Sequence, residues 1–176
     1  FSKLSGAYPV VAIGHHWTRL EIARQAGAHH LLNSLETDIE KEIQKIAPAG
    51  MTVVMEATGS PSGIIQALKL ARKNGKVVVL GTPRGEVRVD LYTQLHRRGI
   101  CLVGAHEYTC PLVETSSDPW TLENNQRLAL TFLAQGIVQV NSLISHRCSP
   151  IEPKDLYENL ATRKDEYLGV VFNWTT

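Results

Sequence analysis

Cysteine is scarce in this sequence: only Cys101, Cys110 and Cys148, with no Cys-x-x-Cys pair among them. A disulfide framework and a spaced thiolate metal site are both excluded. An excess of one charge is missing as well, since 18 Lys plus Arg stand against 17 Asp plus Glu, a formal charge of +1. No basic field is available for phosphate backbones, which argues against a nucleic-acid partner, and no acidic tail suggests a solvating role. Long apolar runs are absent too. Val77 to Leu80 is typical of the longest, far short of a membrane span. Phe1-Ser2-Lys3-Leu4 has no signal-peptide layout. These absences predict a soluble, cytoplasmic globular protein. There is also no starter Met: the chain opens at Phe1 in what reads as the end of a helix, so a fragment of a longer protein is expected.

Short β-branched runs alternating with helical patterns are what the sequence does contain. Pro9 to Ile13, ending at Gly14, reads as a strand buried on both faces. Thr18 to Ala26 follows as a helix facing inward through Leu20, Ala23 and Ala26, with Gly27 as its stop. His30 to Asn33 is a short strand. Asp38 to Ala47 spaces Ile39, Ile43 and Ile46 on one helix face. Thr52 to Glu56 reads as a strand, Ser62 to Arg72 as a helix, and Lys76 to Leu80 as a strand stopped by Gly81-Thr82-Pro83. Strand and helix alternating through short connections predict βαβ units and a parallel sheet covered on both sides.

Further on, Asp90 to Arg98 reads as a short helix, Ile100 to Val103 as a strand and residues 108–119 as a loop. Thr121 to Gln135 reads as a helix with Leu122, Ala129, Leu130 and Leu133 inward. After Gly136 come a strand (Leu143 to Arg147), a helix (Pro153 to Arg163) and a last strand (Gly169 to Trp174). A boundary near residue 138 divides a nucleotide-binding domain, 1–138, from a C-terminal segment, 139–176.

The order of motifs resembles one family. Val10-Val11-Ala12-Ile13-Gly14, Arg19-Leu20-Glu21-Ile22-Ala23 and Gly27-Ala28-His29-His30 are similar to the second strand and helix of medium-chain dehydrogenases, the zinc-type alcohol dehydrogenase-like superfamily. Glu56-Ala57-Thr58-Gly59 resembles that family's adenosine-side turn. Asn74 to Gly81 resembles the fifth strand, which ends under the nicotinamide. Leu143 to Arg147, through Tyr157 and Leu160 to Val170-Val171, resembles the segment that returns to the catalytic domain. The resemblance implies an α/β, Rossmann-like doubly wound parallel sheet. It further implies an NAD(P)-dependent oxidoreductase moving hydride between nicotinamide and an alcohol or carbonyl carbon. The family's glycine-rich loop is not found in these residues, and its first strand and zinc-bearing catalytic domain would precede Phe1. No catalytic or metal residue is therefore assigned; the parent is either a zinc enzyme, with zinc in that catalytic domain, or a zinc-free reductase, and homo-oligomerisation is expected near the sixth strand, with Ile100 to Val103 and Arg84 to Val89 at that edge.

In a doubly wound sheet, ligands sit beyond the carboxyl ends of the strands. NAD-binding relatives place an acid at the position of Gly14, where it binds the ribose and repels a 2′-phosphate. Gly14 offers none, while His15, His16 and Arg19 follow, and a guanidinium binds phosphate bidentately. NADP is favoured over NAD. Thr58 and Gly59 are assigned to the cofactor because glycine permits close backbone approach, although Ser60-Pro61 beside them is an ordinary helix start. Glu56 reads as a strand-end group without cofactor contact. Gly81, Thr82, Pro83 and Ala105 are placed at the nicotinamide by the resemblance, held through backbone groups. His106 is either substrate-facing or structural, and Cys101 reads as a core thiol. Gly169 stands where relatives often carry Lys or Arg, with Arg163 or Lys164 as a compensating charge. His15-His16 and His29-His30 are adjacent pairs whose side chains diverge on a strand, so metal binding is not expected. The polar loop from Glu107 to Trp120 leans toward the polyol and threonine dehydrogenase branch. The alternative is a non-catalytic nucleotide-binding or interaction module on the same fold.

Overall fold

β-branched runs become parallel strands and the intervening amphipathic segments become helices. In chain order they are β1 (Val11–Gly14), α1 (Trp17–Gln25), β2 (His30–Asn33), α2 (Ile39–Ile46), β3 (Met51–Glu56) and α3 (Pro61–Leu70). There follow β4 (Ala71–Val79), β5 (Cys101–Gly104), α4 (Leu122–Ala134), β6 (Ile144–Cys148), α5 (Lys154–Thr162) and β7 (Gly169–Phe172). The computed structural model describes residues 1–151, 154–163 and 165–175. Pro153 and Lys164 lie outside the described residues. Every strand pair is parallel: β1 with β2, β4 between β3 and β5, and β6 with β7. The expected α/β, Rossmann-like fold is observed. Residues 2–6 form turns, with Ser5 N donating to Phe1 O at 2.9 Å, where the end of a helix was expected.

Two compact units are distinguished, Asp38–Gln126 and Phe1–Thr37 together with Arg127–Thr176. In the first, α3 begins where Ser60 accepts from Gly63 N at 2.9 Å, with Pro61 in the first turn, where its missing N–H costs nothing. Its Ala67 and Leu68 pack with Ala71, Val77 and Ile100, and Val54, Val89 and Leu95 close the cluster. Burying one such Leu or Val contributes roughly 1.5–3 kcal/mol. The sequence extends this helix to Arg72, but the helix stops at Leu70, and Ala71 is extended and pairs with Met51. The cause is distant in sequence. Arg98 donates from Nη1 to Leu68 O at 2.6 Å and from Nη2 to Lys69 O and Ala71 O, taking the carbonyls the helix end leaves open.

The segment expected as a short helix after Asp90 is a π turn, Leu91–Leu95, followed by a 3₁₀ turn, His96–Arg98. Asp90 caps it, accepting from Tyr92 N, Thr93 N and Thr93 Oγ1. Hydrogen bonds, first from the Thr93 hydroxyl, hold the Asp90 carboxyl below the usual carboxylate range; Asp38, capping α2, is lowered first by the Lys41 side chain. A depressed carboxyl contributes stability that is present above its unfolded pKa and lost as pH falls through its folded one. Thermal melts from roughly pH 5 down to pH 2 should therefore show an acid-induced loss that is shallower in Asp90→Asn. An identical slope in the variant would remove Asp90 from this account.

In the other unit, Leu20 anchors α1 and Leu32 lies buried in β2. β1 is not covered on both faces as its composition suggests, for Ile13 is 38% exposed. The stripe of α4, whose first residues, 122–126, belong to the unit Asp38–Gln126, is also rotated from expectation. Leu130 is 66% exposed, and the half-buried positions are Asn124, Asn125, Leu128, Ala129 and Phe132. The two asparagines are half-buried, with their amides partnered: Asn124 donates to Glu114 and Pro119 O, Asn125 to Trp120 O. Cys101 is exposed rather than a core thiol. Its register partner on β4, Lys76, is exposed as well, both lying in the unit Asp38–Gln126.

Candidate cofactor site

The residues singled out from sequence fall into two groups, one in each unit. In the unit Asp38–Gln126, β3, β4 and β5 run parallel, so their carboxyl ends lie side by side. The chain leaves β3 through Ala57-Thr58-Gly59 and passes beyond β4 through Leu80-Gly81-Thr82-Pro83. Glu56, only 4% exposed, ends β3 with its carboxylate folded back over its own turn. Oε1 accepts from Thr58 N at 2.7 Å and from the Thr58 hydroxyl, and Oε2 accepts from Gly59 N at 3.1 Å. Thr58 Oγ1 also accepts from Ser60 N at 3.1 Å, so the hydroxyl is committed to the turn.

The two turns are interlocked through backbone. Leu80 N and Gly81 N donate to Glu56 O at 2.8 and 2.9 Å, and Arg84 N donates to Gly59 O at 2.9 Å. Gly59 has φ +67°, and a Cβ there would lie 2.1 Å from Thr82 O. A Cβ on Gly81 would lie 2.4 Å from Gly59 N. Neither position admits a side chain. Thr58, Gly59, Gly81 and Thr82 are thus brought together, and Pro83 joins Thr82 to Arg84. Ala105 N donates to Val79 O at 3.0 Å, placing Ala105 just past the end of β5. Gly104 beside it is open, with nothing within 4 Å of where its Cβ would stand. His106 caps the next 3₁₀ turn, its Nδ1 accepting from Tyr108 N at 3.2 Å.

In the other unit, β1 ends at Gly14, whose carbonyl accepts from Ser34 N at 2.8 Å. A Cβ at Gly14 would make ordinary contact with Leu20 at 3.4 Å, so a side chain fits. His15 and His16 have ring centroids 4.0 Å apart, and Arg19 lies exposed in the first turn of α1. Two acids that sequence reasoning missed stand close by. Asp165 Oδ1 is 2.9 Å from His16 Nδ1. Glu36 Oε1 accepts from Trp17 Nε1 at 2.6 Å and from Asn33 Nδ2 at 2.7 Å. Glu36 was within reach of the sequence, three residues past a strand end; Asp165, far along the chain, gave no spacing signal. Arg163 pairs with Glu166 at 2.5 Å, so its guanidinium already has a carboxylate.

A sequence profile described as zinc-binding dehydrogenase matches residues 1–120. The chain belongs to that family. L-threonine 3-dehydrogenase of Pyrococcus horikoshii is 32% identical over 104 residues, 58% of this chain and 30% of the relative. Sorbitol dehydrogenase of Bacillus subtilis is 27% identical over 172 residues, 97% of this chain and 44% of the relative. A solved structure from Sinorhizobium meliloti, described as a zinc-binding dehydrogenase bound to NADP, is similar with a TM-score of 0.71 at 25% identity. That match covers 90% of this chain and 43% of the other. The chain therefore spans less than half the length of these relatives, and it corresponds to the C-terminal portion of the medium-chain superfamily. Among the described residues no group of three or more His, Cys, Asp or Glu could hold a metal ion. No helix among them is long and apolar enough to cross a membrane.

Proposed function

We propose that this chain is the cofactor-binding part of an NAD(P)-dependent alcohol- or polyol-type oxidoreductase, with Thr58, Gly59, Gly81, Thr82, Pro83 and Ala105 along the dinucleotide. The interlocked pair of turns beyond β3 and β4 carries the reading. Turns at parallel strand ends, with Gly59 and Gly81 where no Cβ can stand, suit close approach by a dinucleotide. The nicotinamide supplies the hydride chemistry; these residues bind and orient it, and the reacting alcohol or carbonyl is polarised from a catalytic domain that also holds any zinc. Residues 1–138 form the nucleotide-binding domain in this reading, and 139–176 return to the catalytic domain. The open edge of β5 is where a second copy of the chain would add. A cytoplasmic setting fits the three free cysteines.

NADP is the favoured cofactor, with Gly14, His15 and Arg19 about its 2′-phosphate. Of the two nearby acids, Glu36 Oε1 is engaged by Trp17 and Asn33 and Asp165 Oδ1 by His16, and neither stands at the strand-end position itself. The test is fluorescence titration of NADPH and NADH into the intact protein and its Gly14→Asp variant. Since a side chain fits at Gly14, the new carboxylate should weaken NADPH binding by about 10- to 100-fold through like-charge repulsion. NADH binding should hold or improve. Equal tight binding of both cofactors by the unaltered protein would defeat the NADP preference. No binding of either would favour a non-catalytic module.

A further inference from the structure

We infer that Glu56 is the positioning residue of the cofactor cradle, setting both of its turns at once without touching the cofactor. The inference rests on the reading of those turns as cofactor-binding. Glu56 uses every acceptor it has on them. Its carbonyl oxygen takes Leu80 N and Gly81 N, its Oε1 takes the amide and hydroxyl of Thr58, and its Oε2 takes Gly59 N. A carboxylate only accepts, and here each donor it faces belongs to the cradle.

The local energetics argue that this arrangement does more than close a turn. A carboxylate 4% exposed carries a desolvation cost, and among the described residues no ion pair offsets it. A turn after a strand needs no such group, for the short side chains of Asn, Asp or Ser satisfy turn amides next to solvent. What the longer buried carboxylate adds is control over which groups face outward. The amides of Thr58, Gly59, Ser60, Leu80, Gly81 and Arg84 all donate within the cradle. Gly59 is buried while Ala57, Thr58, Leu80, Thr82 and Pro83 are exposed, so a cofactor lying here meets two turns whose placement against each other Glu56 sets.

Small neighbours keep the carboxylate in place. A Cβ on Gly63 would stand 2.8 Å from Glu56 Oε1 and 2.7 Å from Thr58 Oγ1, so the first turn of α3 leaves room only for glycine beneath it.

The test uses the intact protein, NADPH and NADH as probes, and temperatures well below the melting point. Glu56→Gln turns an amide NH₂ toward an N–H donor and should weaken binding of the preferred cofactor by about 10- to 100-fold. Thr58→Val removes only the hydroxyl and should weaken it about threefold to tenfold. A merely structural role would lower the melting temperature and leave affinity at low temperature unchanged. Hydrogen–deuterium exchange on the unaltered protein separates the two layers. If residues 57–60 and 80–84 gain no protection on saturation with either cofactor, the cofactor reading of these turns falls, and the Glu56 inference with it. If they are protected, yet folded Glu56→Gln binds within about twofold of the parent, the inference alone is overturned. Should Glu56→Gln not fold, Thr58→Val decides the matter on the same twofold criterion.

Discussion

Gly59→Ala should destabilise the protein by more than about 3 kcal/mol, against about 1–2 kcal/mol for Gly85→Ala. Both glycines have positive φ, +67° and +121°, so both substitutions strain the backbone. Their surroundings differ. A Cβ on Gly85 meets nothing within 4 Å, whereas one on Gly59 falls 2.1 Å from Thr82 O and 2.8 Å from Thr82 C. The obstacle is backbone, held by Arg84 N on Gly59 O and by Leu80 N and Gly81 N on Glu56 O, so it cannot step aside as a flexible side chain would. Relief requires parting the two turns, which breaks those hydrogen bonds and leaves buried groups unpaired, at about 1–3 kcal/mol each. Denaturant titration of both variants gives the comparison directly. A Gly59→Ala midpoint no lower than that of Gly85→Ala would mean the turns are not locked together. Cofactor binding provides an independent reading, since Gly85→Ala should leave it unchanged while any folded Gly59→Ala loses it.

Much of this architecture was legible because periodicity and glycine placement are local signals. His30–Asn33 was read at its observed bounds, and β1, β3, α2 and α5 within a residue or two, since apolar spacing and flanking turn residues decide such segments without help from elsewhere. The strand-end glycines were also legible, and Gly59 and Gly81 prove to be positions where no Cβ can stand. What escaped the sequence depends on partners far along the chain. Ala71 has good helix propensity, yet Arg98 takes its carbonyl and Leu68's, and the helix ends before it. The inward positions read for α4 were Leu122, Ala129, Leu130 and Leu133, whereas Asn124 and Asn125 are half-buried through bonds to Glu114, Pro119 and Trp120. Around Gly14 the missing acid was visible and Glu36 was within reach as a residue just past a strand end, while Asp165 was not, because only folding brings its carboxylate to His16. Glu56 was placed correctly at a strand end. Its hold on both turns became apparent only when the β4 exit was found against the β3 exit.

Leu68→Ala should cost about 2–5 kcal/mol while leaving cofactor affinity nearly intact. Leu68 is fully buried and sits at the centre of the cluster formed by Ala67, Ala71, Val77 and Ile100, with Val54, Val89 and Leu95 packed around it. Two of its neighbours, Ala67 and Ala71, are small, and a cavity lined by alanines and by Val77 in the middle strand cannot collapse without moving backbone, which places the cost in the upper part of that range. Leu130→Ala provides the contrast. At 66% exposure it should change stability by no more than about 0.5 kcal/mol. The separation from binding follows from the course of α3. Leu68 lies two turns from Ser60, and the turn at Thr58–Gly59 is fixed by Glu56 and by the β4 exit rather than by the far half of the helix. A variant that melts earlier but binds NADPH or NADH as the parent does, well below its melting temperature, is the expected result. Loss of affinity in step with stability would instead show that the cradle owes its shape to the packed helix, and the role given to Glu56 would have to be shared with the core beneath it.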